Sequence, residues 1–151
     1  MPNPYNLTFT SEGFYSFTTD LNSVYLLYLV DNTDLFGLSG SGTIIYEFGF
    51  AVDGNRMDFS KDPRVEATII QFISDFFERF NNDAILYVTD QSDGRQAERK
   101  RMFDLWFTRN QSKVSVKLIK QDFINAPIYS SIILTESNPL LQEILNLFKN
   151  R

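Results

Sequence analysis

The order of hydrophobic patterns predicts an α+β domain: a mostly antiparallel sheet of about seven strands, with helices packed on it and one β-α-β crossover near the middle. Three observations carry this. The first part of the chain consists of short apolar or alternating segments separated by turn residues. From Asp62 onward, apolar residues recur at helical spacing. After that, short apolar runs and helical stretches take turns, so the expected order is ββββ-α-β-α-ββ-α.

In chain order, "YNLTF" and "GFYSFTT" read as strands around the turn "TSE". "SVYLLYLV" follows as an apolar run that suggests a strand buried on both faces. "DNTDLFGLSGSGT" is a polar, glycine-rich connection leading to the strand "IIYEFGFAV". "GLSGSG" matches a phosphate-loop pattern by letters, but a strand follows it, so it reads as a hairpin tip. Asp31 and Asp34 lie in the same turn and read as solvated carboxylates rather than cation ligands. The first helix places Val65, Ile69, Phe72, Ile73, Phe76, Phe77 and Phe80 on one stripe, with Asp62 as N-cap and Pro63 in the first turn. "AILYVTD" is a short buried strand, and the crossover that links it to the preceding strand should be right-handed. Asp93 and Gln96 fit a capping box for the second helix. "KVSVKLI" alternates with Val114, Val116 and Leu118 inward and Lys113, Ser115 and Lys117 outward; "PIYSSIILTE" pairs with it as a hairpin. "SNPLLQEILNLFKN" closes the chain as a helix capped by Ser137 or Asn138. No repeat or linker interrupts residues 1–151, which read as a single domain.

Composition excludes several activities. The chain has no cysteine, so disulfides, thiolate zinc sites and cysteine nucleophiles are out; it has no histidine, so Ser-His-Asp chemistry is out as well. Carboxylates, Tyr, Lys, backbone dipoles or a hard metal remain. With a net charge of -5 the molecule as a whole repels nucleic acid and anionic membranes, and the basic stretch 95–101 is broken by Glu98. "VYLLYLV" is too short to span a bilayer, and no leader peptide precedes the first strand, so a cytoplasmic protein is expected.

One constellation stands out. At about 100° per residue, Met102, Phe103, Leu105, Trp106 and Phe107 of the second helix form a broad apolar stripe, and Arg95 and Arg99 fall within it. Arg101, Asp104 and Thr108 take the opposite face, with Lys100 to one side. On the first helix Glu66 lies between Ile73 and Phe77. Two inward-pointing charges of opposite sign suggest an ion pair between Glu66 and Arg95 or Arg99. The plain reading is a salt bridge that fixes helix packing. The functional reading is a polar pocket formed by Glu66, Asp93, Gly94, Arg95, Gln96, Arg99 and Trp106, where the arginines hold an anionic group near free N–H groups of the helix start.

Two resemblances add to this. "KDPRVEATIIQFISDFF", "SDGRQAERKRMFDLWF" and "SNPLLQEILNLF" together resemble an uncharacterised family of small bacterial proteins, a domain of unknown function, over nearly the whole chain. Asp62, Pro63, Arg64, Glu66, Asp93, Gly94, Arg95, Gln96, Arg99, Phe103, Trp106 and Phe107 would be its motif residues. From about Gly13, the element order is similar to the N-acetyltransferase superfamily that uses acetyl-coenzyme A. That resemblance implies pyrophosphate binding at the N-terminus of the first helix, through closely spaced glycines, and a tyrosine that protonates the leaving thiolate. Here the first turn reads "SKDPRVEA", without glycine and with two carboxylates, and Phe103 stands at the tyrosine position. The expectation is a non-catalytic binding or regulatory domain that needs no cofactor and has a protein partner or a small anionic ligand. The alternative is an atypical coenzyme A-dependent acyltransferase; nucleic-acid binding through residues 95–101 is a lesser one.

Overall fold

The computed structural model describes residues 2–53, 62–89 and 94–150. The strands are β1 (Thr8–Phe9), β2 (Tyr15–Thr18), β3 (Val24–Asp31), β4 (Ile45–Val52), β5 (Ala84–Val88), β6 (Leu118–Asn125) and β7 (Ile128–Thr135). The helices are α1 (Pro63–Arg79), α2 (Gln96–Arg109) and α3 (Leu141–Lys149). One seven-stranded sheet results, in the order β1-β2-β3-β4-β5-β7-β6, so the α+β class and the element order agree with expectation.

Neighbouring strands are antiparallel except β4 and β5. Because β7 runs opposite to both β5 and β6, those two are parallel to one another. The connections β4-α1-β5 and β5-α2-β6 therefore both join parallel strands while stepping in one direction across the sheet. Right-handed crossovers then put α1 and α2 on the same face. Ile69, Ile73 and Phe77 of α1 indeed share one buried cluster with Phe103, Trp106 and Phe107 of α2, over Phe48, Ile85 and Tyr87. The opposite face is covered by α3, whose Ile144 and Phe148 pack with Phe36, Leu38, Leu86 and Ile132. Between the two layers, Ala84, Ile85, Leu86 and Tyr87 of β5 are all buried, as a central strand requires.

The pairing of β4 with β5 runs from Ile45–Ala84 to Phe48–Tyr87, and β4 then continues to Val52 with no strand paired on that side among the described residues. The carboxyl ends of the two parallel strands thus form a fork. Aromatic rings fill it: Tyr87 and Phe103 stack at 4.0 Å, Phe50 stacks on Tyr87 at 5.9 Å and on Trp106 at 6.0 Å.

Several expectations are corrected. "YNLTF" contributes only Thr8 and Phe9 to the sheet. Tyr5 is instead drawn to α1, where its N–H donates to Thr68 Oγ1 at 2.7 Å. β3 is not buried on both faces; Tyr25 and Leu27 are buried while Leu26 and Tyr28 are partly open, so the strand alternates. The polar connection after it contains a short 3-10 turn, Thr33–Phe36, which sends Phe36 and Leu38 into the second cluster. Val114 and Val116 do pack inward and Lys113, Ser115 and Lys117 are exposed, but a 3-10 turn (Gln111–Lys113) and extended chain occupy this segment, and β6 starts at Leu118. α3 starts at Leu141, with Asn138 Oδ1 accepting from Leu140 N at 2.8 Å just before it. The proposed capping residue Asp93 lies outside the described residues.

Candidate functional site

The start of α1 is closed by its own chain. Asp62 has the extended backbone of an N-cap, and its Oδ1 accepts from Arg64 N at 2.9 Å. Its Oδ2 accepts from the Tyr5 hydroxyl at 2.5 Å, and the Arg64 guanidinium lies over the Tyr5 ring at 3.9 Å. Pro63 has no N–H to offer. Burial and the neighbouring Asp62 both push the Tyr5 hydroxyl above its ordinary range, so it stays a donor to that carboxylate.

Glu66 does not meet Arg95 or Arg99. Its carboxylate accepts from Arg109 Nε at 2.8 Å, from Arg109 Nη2, and from Asn110 Nδ2 at 2.5 Å. The cause is helix direction: the last turn of α2 lies beside the first turn of α1. Arg99 sits ten residues earlier on α2, roughly 15 Å along the axis. Burial raises the Glu66 carboxyl, but the bonds from Arg109 and Asn110 outweigh it and leave the group below its usual range. The same pair raises the Arg109 guanidinium.

The other expected site residues are dispersed. Arg95, the residue before α2, is exposed and pairs with Glu98 at 2.9 Å. Gly94 has a positive φ of 73°, a conformation that suits glycine. Gln96 donates to Pro127 O at 3.2 Å. Arg99 is buried at 4% exposure, and its charge acts on Tyr87, whose hydroxyl is raised far above its ordinary range by burial. Trp106 is core, stacked on Phe50. Of the predicted set, the structure therefore brings none of the arginines to Glu66.

What sequence reasoning missed lies one step around the helix. Lys100 is 2% exposed, more buried than Arg99. It bonds Asp104 at 2.6 Å and Asp122 at 2.9 Å, while Lys120 bonds the same two carboxylates at 2.9 and 2.6 Å. Two lysines and two aspartates alternate around a square that ties α2 to β6. Asp104 thus occupies the flank facing β6, not the outer face assigned to it from the wheel. Ser131 Oγ adds a bond to Asp122 at 2.7 Å. Burial raises the Asp122 carboxyl, yet Lys120, Ser131 and Lys100 bring it down to about 2. The i,i+4 spacing of Lys100 and Asp104 was the available signal.

A cavity of about 300 Å³ lies between α1 and the segment 111–118, walled by Ile70, Ile73, Phe107, Val114, Val116 and Leu118. Among the described residues no cluster of three or more His, Cys, Asp or Glu could hold a metal ion, and no helix is long and apolar enough to cross a membrane.

Fold and site together define a small α+β domain with a closed helix start and a packed fork. Residues 61–150 match the model of a family of unknown function, DUF6169, and the chain belongs to that family. No curated protein matches the chain.

Proposed function

We propose that this chain is a non-catalytic binding or regulatory domain on an acetyltransferase-like scaffold. The observation that carries the reading is the Asp62 carboxylate at the start of α1, bonded to Arg64 N and to the Tyr5 hydroxyl. An incoming pyrophosphate would have to displace a carboxylate already seated there and then face Glu66 in the same turn. The residues present do not fit coenzyme A. Phe103, which stands where the resemblance implies a proton-donating tyrosine, is fully buried against Tyr87. Two of the four cations of the basic stretch are paired, Arg95 with Glu98 and Lys100 with two aspartates, which weakens it as a nucleic-acid surface.

The acyltransferase alternative has one observation in its favour: the β4–β5 fork opens at the carboxyl ends of two parallel strands, where sheets of this kind commonly receive ligands. Thermal unfolding with and without acetyl-coenzyme A separates the two. The binding-domain reading expects an unchanged midpoint, whereas a saturable rise would establish cofactor binding and overturn it.

A further inference from the structure

β6 is the last strand of the sheet, paired on its outer side with no strand among the described residues, and that edge has a pattern of its own. Glu136 N donates to Lys117 O at 2.9 Å, in register with the β6–β7 ladder. Antiparallel alternation then turns the main-chain N–H and C=O groups of residues 119, 121, 123 and 125 toward β7. Those of Leu118, Lys120, Asp122 and Ile124 point to the open side. An added antiparallel strand must bond to these even-numbered residues.

Read outward from Gln121, the strand "LIKQDFI" (118–124) is symmetric in polarity and antisymmetric in charge. Pairing two copies about a two-fold axis through Gln121 sets Lys120 against Asp122 of the second copy. It also sets Ile119 against Phe123 and Leu118 against Ile124, each pair on one face of the joined sheet. Moving the axis by one residue, to Lys120 or to Asp122, would oppose two lysines or two aspartates. An axis between residues would face outward-pointing main-chain groups with inward-pointing ones. One register alone satisfies hydrogen bonds, charge and apolar contact together.

Charged side chains normally guard such an edge. Here Lys120 and Asp122 are drawn over the face of the sheet by Lys100 and Asp104 and do not block its side. Ile124, 63% exposed, is left uncovered at the end of the strand.

We propose that a second copy of this chain pairs with it edge to edge through β6, centred on Gln121, to make one continuous fourteen-stranded sheet from two seven-stranded ones. The inference goes beyond the binding-domain reading and does not depend on it, since it involves neither the α1 start nor the fork.

Sedimentation velocity on the full chain over a concentration series tests it. A reversible dimer is expected. Gln121→Glu and Gln121→Lys each place like charges side by side across the axis and should weaken the dimer about tenfold. Mixing the two variants in equal amounts should restore association, a result that a merely structural effect of either substitution would not produce. Ile124→Lys, at an exposed position, should weaken the dimer without lowering the unfolding midpoint, and serves if a Gln121 variant folds poorly. A protein that stays monomeric at every concentration would overturn the proposal. So would a dimer indifferent to both positions, or a mixture no better than its components.

Discussion

Lys100 holds Asp122 at 2.9 Å while itself only 2% exposed, and through that bond a helix is fastened to the edge strand of the sheet. Lys120 and Asp104 close the square, so no charge in it depends on a single partner. The two lysines are the buried members and the two aspartates the open ones, which sets how each responds to removal.

Lys100→Met keeps the buried stem but leaves two carboxylates with one cation. We expect a loss of about 1–2 kcal/mol in urea unfolding, because the aspartates are partly solvated. Asp122→Ala combined with Lys100→Met should fall short of the sum of the single effects by about 1 kcal/mol. Full additivity would show that the square contributes nothing to stability.

Acid should find the same feature. The Asp122 carboxyl is held at about 2, below its ordinary 3.8. A depressed carboxyl stabilises the fold above its unfolded value and loses that contribution as pH falls through its folded value, so the loss belongs between about pH 4 and pH 2. Its size is about 1 kcal/mol after allowance for solvent screening of a carboxylate that is well exposed. Asp122→Asn should flatten the stability curve in that window; an unchanged acid limb would refute the assignment.

The Glu66–Arg109 pair is open on one side, with the arginine side chain 52% exposed and the glutamate 13%. Arg109→Ala should therefore cost below about 1 kcal/mol. Glu66→Gln disturbs the buried Asn110 as well and should cost about 1–2 kcal/mol. In a double-mutant cycle Glu66 should couple to Arg109 and be additive with Arg99; coupling to Arg99 instead would mean that α2 lies the other way along α1.

Gly49 makes room for a ring. A Cβ built there would lie 2.5 Å from the Tyr28 ring and hydroxyl, and that hydroxyl donates to Glu47 at 2.9 Å. Gly49→Ala should cost about 1–3 kcal/mol by forcing Tyr28 aside. In a Tyr28→Ala background the same substitution should cost much less, and an equal cost in both backgrounds would point to the backbone rather than the ring.

Much of the fold was legible because it depends on local signals. Asp62 and Pro63 announce α1, the all-apolar "AILYV" announces a central strand, and the order of elements leaves few topologies. The candidate site was less legible because it depends on where helices end relative to one another. A helical wheel gives the azimuth of Arg99 and Glu66 but not their height, and the partner of Glu66 is decided by height. Lys100 was misjudged for a related reason: its neighbours Lys120 and Asp122 come from a strand that the alternation of "KVSVKLI" placed five residues too early.

The position of β7 between β5 and β6 has a consequence for the order in which the molecule can be completed. As the chain leaves the ribosome, β5 is made before α2 and β6, yet its second neighbour, β7, emerges only after both. Until residues 128–135 arrive, Ala84–Val88 is an apolar edge without cover, and α3, which shields the opposite face, comes later still. A nascent chain stalled before β7 would thus expose its most hydrophobic strand to solvent and to its neighbours. The interval in which β5 stands open to aggregation is the one that it takes to make α2, β6 and β7.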